Sequence, residues 1–374
     1  MAGIYIHIPF CKKACNYCNF HFSVNQQLMP QMTDAIVTEA RLQQGYLNEP
    51  VETIYFGGGT PSLLSGEQLN HILGGIRNIF TVSDQAEITL EANPDDISTS
   101  SLEVWKTAGI TRLSIGIQSF FEVDLAWMGR AHNAEQALAC IQLAQAAGFS
   151  NLSIDLIYGG PTLSDDHWKQ NLQTAIQLKV PHLSCYALTV EPKTILAKKI
   201  NDRQLEEVDS DKQAIHFDIL MDHTAAAGYE HYEISNFALP GMRSKHNSSY
   251  WSGSHYLGLG PGAHSYNGIS RQWNIANNSL YLSSLKQESI PAEIESLTSQ
   301  QRVNEYIMTS LRTSEGLDLS QLEKIGNGFI VANVLKLAGK FIAQGTLIRS
   351  GNFLVIPPKG KFYADGIAAE LFQL

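Results

Sequence analysis

An alternation narrows the fold of this chain more than any other feature. Six short β-rich runs occur at Gly3–Ile8, Thr53–Phe56, Glu87–Glu91, Arg112–Ile117, Asn151–Ile157 and Leu183–Val190. Between them lie amphipathic stretches such as Met32–Leu47, Gly66–Phe80, Ala134–Ala147 and Asp165–Leu178. Strands that alternate with helices pair in parallel, since each helix carries the chain back to the same edge. Right-handed crossovers then give either a barrel or a doubly wound sheet. The ends of the runs separate these options. The first runs into Cys11, the second into Gly57-Gly58-Gly59, the third into Glu91-Ala92-Asn93-Pro94 and the fourth into Gln118-Ser119. The fifth carries Asp155, and the sixth Thr189 and Glu191. A barrel gathers all six C-terminal ends at one mouth, whereas a doubly wound sheet concentrates function at one switch point. Unusual residues at six ends predict the barrel.

The pattern changes after residue 192. Lys193–Lys212 is charged, Asp211–Ala227 is helical, and residues 231–291 are rich in Gly, Asn, Ser, Tyr and His with weak periodicity. Helical segments at Arg302–Leu311, Leu319–Ile325 and Gly328–Ala343 lead to a hairpin, Leu347–Ile356, turning at Ser350-Gly351-Asn352. That order predicts a winged-helix-like unit. The expected division is a barrel over 1–235, a linking segment packed on it over 236–294, and the C-terminal unit over 295–374.

Composition limits the partners. With 44% hydrophobic and 17% charged residues the chain can build a core and is not disordered. No apolar run approaches the ~18 residues of a membrane span. Met1-Ala2-Gly3 leads straight into a strand-like run without a secretory signal. The net charge of −10 excludes a nonspecific nucleic-acid or anionic-membrane binder. Residues 295–374 carry eight Lys/Arg against seven Asp/Glu, which disfavours DNA reading by the C-terminal unit. A cytoplasmic protein is expected.

Of five cysteines, Cys11, Cys15 and Cys18 fall within eight residues, directly after the first strand. Cys140 and Cys185 stand among apolar neighbours and read as small buried hydrophobes. An odd count with one tight cluster is not a disulfide framework. Three thiolates can hold three irons of a [4Fe–4S] cube and leave the fourth iron open to a small molecule. The other chemistry open to this loop is a structural zinc site completed by His21, three residues after Cys18. Gly258-x-Gly260-x-Gly262 has no strand–helix context and is not a dinucleotide fingerprint.

Cys11-x-x-x-Cys15-x-x-Cys18, with Tyr17 before the last cysteine, resembles the cluster loop of the radical S-adenosyl-L-methionine (SAM) superfamily. The resemblance narrows with Tyr5-Ile6-His7-Ile8-Pro9-Phe10-Cys11, Gly57-Gly58-Gly59-Thr60-Pro61, Gly116-Ile117-Gln118-Ser119-Phe120 and Asp155-Leu156-Ile157-Tyr158-Gly159. Together these are similar to the oxygen-independent coproporphyrinogen III oxidases and the related haem chaperones, from residue 3 to the end of the chain. The resemblance implies a partial (β/α)6 barrel of TIM type with a winged-helix-like C-terminal domain. It also implies a [4Fe–4S] cluster, reductive cleavage of SAM to a 5′-deoxyadenosyl radical, and an electron donor for the cluster.

By the same resemblance Cys11, Cys15 and Cys18 hold the cluster, with Tyr17 in its loop. Along the first run Tyr5 and His7 share one face while Ile4, Ile6 and Ile8 take the other, which points Tyr5 into the barrel mouth beside the cluster. Gly58, Gly59, Thr60, Glu91, Gln118, Arg130, Asp155 and Thr189 contact SAM. Arg130 read alone, in Gly129-Arg130-Ala131-His132, is a surface residue. Buried strand carboxylates such as Glu91 and Asp155 need partners.

Two features divide the family. The oxidases carry a further cysteine two residues after the third, where this chain has Phe20. Lys245-His246-Asn247-Ser248-Ser249-Tyr250-Trp251 contains the His-Asn-x-x-Tyr-Trp signature of the chaperones, which implies haem at His246, Tyr250 and Trp251. A neutral imidazole ligates haem iron, and flat aromatic rings wall a porphyrin. His264, in Gly260-Pro261-Gly262-Ala263-His264-Ser265, is a weaker candidate near the mouth. The expected function is haem binding and delivery to haem-dependent proteins, among them respiratory enzymes at the membrane face. The alternative is radical decarboxylation of coproporphyrinogen III propionates.

Overall fold

The computed structural model describes residues 2–373. The first half runs β1 (Ala2–Ile8), α1 (Met29–Leu42), β2 (Val51–Gly58), α2 (Gly66–Ile79), β3 (Val82–Ala92), α3 (Thr99–Ala108), β4 (Arg112–Gln118), α4 (Glu122–Met128), α5 (Ala134–Ala146), β5 (Leu152–Tyr158), α6 (Asp165–Gln177) and β6 (His182–Ala187). Strands β1 to β6 pair in sequence order, all in parallel. Their C-terminal ends therefore open on one mouth. Local chemistry sets the helix starts: Ser65 with Gln68, Ser98 with Ser101, and Asn133 with Gln136 form reciprocal capping boxes on α2, α3 and α5. Along β1 the period of two divides the faces. Ile4, Ile6 and Ile8 are at most 1% exposed and pack in the helix-covered core, each contributing roughly 2 kcal/mol. Tyr5 and His7 take the other face. Cys140 and Cys185 are buried in the same core.

The chain continues with α7 (Ile195–Asn201), α8 (Ser210–Ala226), β7 (Glu230–Glu233), β8 (Asn236–Ala238), α9 (Lys245–Trp251), β9 (His255–Leu259), β10 (His264–Tyr266), β11 (Ser270–Asn274), α10 (Asn278–Leu285) and β12 (Ala292–Ser296). The 236–294 segment is thus more than a link. It lays β9 parallel on β1, carries the sheet on through antiparallel β10, β11 and β12, and supplies β8 against β6 at the other edge. A boundary at 235/236 would cut the β7–β8 hairpin. Weak periodicity hid these strands because they are three to five residues long, too short for an alternation to register.

The C-terminal unit comprises α11 (Ser299–Leu311), β13 (Leu317–Asp318), α12 (Leu319–Ile325), α13 (Gly328–Gln344), β14 (Ile348–Ser350), β15 (Phe353–Val355), α14 (Pro358–Lys361) and α15 (Ala364–Glu370). It has its own apolar core and a three-stranded sheet in the order β13-β15-β14, the helix–strand–helix–helix–hairpin sequence of a winged helix. The hairpin turns at Gly351, whose φ of 59° suits glycine.

This unit also spans the opening of the barrel. The twelve-stranded sheet ends in β12 on one side and β7 on the other, and no ladder joins them among the described residues. On the β7 side, buried Glu233 receives two hydrogen bonds from Arg312, at 3.0 and 3.2 Å, and Ser314 N–H donates to Tyr232 O. On the other side Arg271 pairs with Glu305 at 2.6 Å and Gln301 donates to Glu295 at 3.0 Å. No helix among the described residues is long and apolar enough to cross a membrane.

Removing Arg312 leaves Glu233 buried without its cation. Arg312→Ala is expected to destabilise the protein by about 3 kcal/mol in urea unfolding, whereas Lys340→Ala, which breaks an exposed pair with Glu370, changes it by less than about 1 kcal/mol.

Candidate functional site

The loop between β1 and α1 carries the three cysteines and is pinned at several points. At its neck Cys11 N–H donates to Ser23 O, and Ser23 N–H to Pro9 O. Midway, Asn16 N–H donates to Met128 O, its Nδ2 to Trp127 O at 2.7 Å, and its carbonyl accepts from Leu196 N–H. The last turn of α4 and the first of α7 thus hold the loop over the mouth. Below it lies a cavity of about 490 Å³. Cys11, Cys15 and Cys18 line it, together with Tyr17, Gly58, Gly59, Thr60, Glu91, Gln118, Arg130, Asp155 and Thr189. Twelve of the residues expected from the sequence therefore share one space. Tyr5 does not: it lines a neighbouring chamber, where its hydroxyl bonds His7 Nδ1 at 3.2 Å and its ring stacks on Tyr55.

The floor is built by strand ends. Gly58 adopts φ 103° and turns its N–H toward Glu91, whose other oxygen accepts from the Tyr55 hydroxyl at 2.8 Å. A Cβ at Gly58 would meet the His7 ring at 2.5 Å, and one at Gly59 would meet the Phe10 and Ile8 carbonyls. Neither position admits a larger residue. Gln118 sits at φ 67°, a left-handed backbone rare outside glycine, where the β4–β5 register shifts. Such strain concentrates at functional positions, here turning the last residue of β4 into the cavity.

Two carboxylates and one cation set the charge. Burial pushes Glu91 up to about 7, with Asp155 nearby adding to the shift, and pushes Asp155 up to about 6. Arg130 is not at the surface. Its Nη2 donates to Asn93 Oδ1 at 2.7 Å and to Gly116 O at 2.9 Å, and its Nη1 to Cys15 Sγ at 3.3 Å and the Tyr17 hydroxyl at 3.5 Å. Its Nε is buried without a partner among the described residues, a donor aimed at nothing in the protein.

The thiols fit a cube with an open corner. All three cysteines are unpaired, and among the described residues no three acidic, His or Cys side chains converge on a single-ion position. His21, the candidate fourth zinc ligand, points away, with its Nε2 held by Asn278 Oδ1 at 2.7 Å. Burial holds the Cys11 thiol up at about 11 and raises Cys18, so iron ligation must displace these protons. Asn93, Ser114 and Tyr186 also line the cavity and were not singled out from the sequence. Asn93 was readable, standing in the same strand-end motif as Glu91. Tyr186 and Ser114 gave no signal beyond a place on a strand.

The haem signature departs from expectation. His246 is 1% exposed, near Gly3 and Thr53, at the end of the strands opposite the mouth. Its Nδ1 bonds Thr53 Oγ1 and its Nε2 the Tyr250 hydroxyl, both at 2.8 Å. With both nitrogens engaged it offers no lone pair to haem iron as placed. Tyr250 and Trp251 do reach a cleft of about 1110 Å³ between barrel and C-terminal unit, where Arg312 lies over the Trp251 ring. Tyr250 and Tyr256 also line a third space of about 680 Å³, the chamber that holds Tyr5, and Asn19, Phe20 and Phe22 are shared between that chamber and the cysteine cavity.

Comparison with known proteins agrees with this architecture. Residues 5–175 match the radical SAM superfamily model, and residues 297–363 match the HemN C-terminal domain model. The haem chaperone HemW of Mycobacterium tuberculosis is 36% identical over 375 residues, covering 99% of this chain and 94% of that protein. HemW of Bacillus subtilis is 34% identical, covering 98% of each. Among solved structures, the coproporphyrinogen III oxidase HemN of Escherichia coli, described as a radical SAM enzyme, superposes with a TM-score of 0.85. It is 22% identical and covers all of this chain and 90% of its own.

The buried carboxylates give a pH signature. Glu91 holds its proton in the fold up to about pH 7, whereas in the unfolded chain it ionises near 4.5, so its burial lowers stability progressively as pH rises through that window. Glu91→Gln is expected to melt roughly 2–5 °C higher than the parent at pH 8 without SAM, with the gap closing at pH 4.5. SAM binding, measured by equilibrium dialysis, should fall in the same variant.

Proposed function

Since the chain belongs to the HemW haem-chaperone family of radical SAM proteins, we propose that it binds haem and passes it to haem-dependent proteins, with a [4Fe–4S] cluster and SAM in the cavity at the barrel mouth. The observation that carries this reading is the contact between two spaces. The cysteine cavity abuts a larger chamber whose lining includes Tyr5, Phe20, Phe22 and Tyr256 and which is large enough for a planar cofactor.

In this reading Cys11, Cys15 and Cys18 ligate three irons. The cluster, when bound, supplies one electron and an open iron for the amino and carboxylate groups of SAM. The Glu91 and Asp155 carboxylates meet the cationic and hydroxyl groups of SAM, and SAM binding draws both toward their ionised forms. The backbone of Gly58, Gly59 and Thr60 receives the methionine end. Gln118, Arg130 and Thr189 complete the enclosure, and Tyr17 packs beneath the cluster loop. Tyr250 contributes aromatic wall to the larger chamber, and Trp251 lies in the neighbouring cleft. The cluster, when bound, would take its electron from an external donor, and haem-dependent respiratory enzymes would be the recipients.

Phe20 favours the chaperone over the oxidase reading, since it stands where the oxidases carry a further cysteine. Anaerobically reconstituted protein is expected to bind haem near one equivalent per chain in a spectrophotometric titration. It should not convert coproporphyrinogen III to protoporphyrinogen IX in the presence of SAM and a reductant. Absence of haem binding together with decarboxylation would reverse the assignment. Alanine in place of Cys11, Cys15 or Cys18 should abolish the brown cluster absorbance and leave the far-ultraviolet circular dichroism unchanged.

A further inference from the structure

The chamber beside the cysteine loop contains three imidazoles, His7, His21 and His264. His7 is engaged at both nitrogens, by the Tyr5 hydroxyl at Nδ1 and by His21 O at Nε2, and His21 is tethered to Asn278 through Nε2, with only its Nδ1 left over. His264 is different. It starts β10, is exposed to the chamber, and rests its ring near that of Trp273 at a centroid distance of 6.3 Å. Among the described residues no group hydrogen-bonds either of its ring nitrogens. Burial and the Arg271 charge lower its pKa, so the ring is neutral and carries a free lone pair at neutral pH.

The sequence places this ring by glycine. Gly260, at φ 100°, lies so close to β1 that a Cβ would meet His7 O at 2.4 Å. Gly258 lets β10 fold back on β9, since a Cβ there would meet His264 O at 2.1 Å. The turn Gly260-Pro261-Gly262 is thereby pressed onto the barrel wall and delivers His264 into the chamber. Phe20, 63% exposed, and Tyr256 supply aromatic surface around it.

We propose that His264, rather than His246, ligates haem iron, with the porphyrin lying in the chamber between the cysteine loop and β9–β10. The proposal rests on the haem-chaperone reading and specifies its ligand. An imidazole nitrogen displaces a water from ferric haem, without change in iron oxidation state or transfer of a proton. Tyr250 and Tyr256 line both the chamber and the neighbouring cleft, where Arg302 and Lys324 are cations of the kind that pair with carboxylates.

The test is a haemin titration of the cluster-loaded protein as wild type, His264→Ala and His246→Gln, read by the Soret band and by electron paramagnetic resonance of the ferric iron. His264→Ala is expected to bind about tenfold more weakly or worse, to lose the imidazole-ligated spectrum, and to regain it on adding free imidazole, with cluster absorbance intact. His246→Gln, provided its circular dichroism matches the parent, should keep the wild-type haem spectrum. Wild-type affinity and spectrum in His264→Ala would overturn the proposal, and their loss in folded His246→Gln alone would move the ligand to His246. Failure of the wild type to bind haem at all would instead remove the chaperone reading beneath it.

Discussion

The Arg130 guanidinium is the interaction on which the site depends. One planar group joins the cysteine loop, through Cys15 and Tyr17, to the end of β3 through Asn93 and to β4 through the Gly116 carbonyl. A buried cation is tolerated only when its donors find acceptors, and here four acceptors come from three separate elements. The segment that delivers it is equally constrained. Gly129 ends α4 in a left-handed conformation, and the carbonyls beside it tether Asn16 in the middle of the loop. Cluster loop and barrel mouth are therefore positioned by the same short stretch of chain. Thiolates bound to iron would raise the negative charge that Arg130 faces, which strengthens the link when the cluster is present.

Around this anchor the interior is divided. The side toward β3, β4 and β5 is polar, with two carboxylates whose burial leaves them short of counter-charge, a setting matched to the cationic SAM. The side toward β1, β9 and β10 is lined by histidines and aromatic rings, a setting matched to a flat, weakly polar ligand. Phe20 belongs to both walls. Where the oxidases carry a cysteine, this chain therefore sets a ring at the partition between the cysteine cavity and the aromatic chamber.

Much of the fold was legible because parallel β/α units write themselves into sequence as alternating runs, and because buried strands are rich in Ile, Leu and Val. The cavity was legible at its glycines and carboxylates, residue types that are out of place on a strand unless a ligand explains them. Three things were not. Arg130 sits in a polar turn, and only tertiary packing converts that turn into the wall of a cavity. The edge strands β8 to β12 are too short to carry a period, so a sheet extension read as a link. His246 lies in a motif that names a ligand without saying which of its members faces one. Both its nitrogens are used inside the barrel, by Thr53 on a strand far away in sequence and by Tyr250 one turn along its own helix. Tyr5 shows the same limit: the period of two gave its face but not which of two adjoining cavities that face serves.

The opening between β7 and β12 has a mechanical consequence. A closed barrel is held all the way round by ladder hydrogen bonds, whereas this one is fastened across its gap by side-chain pairs such as Arg312–Glu233 and Arg271–Glu305, with a backbone bridge between Glu233 and Thr313 on the β7 side. The side-chain latches can release without disturbing the ladders of the twelve-stranded sheet, and the Arg271–Glu305 pair, the more exposed one, weakens as ionic strength rises. The winged unit thus fastens the two rims of the barrel with contacts weaker than the ladders inside the sheet.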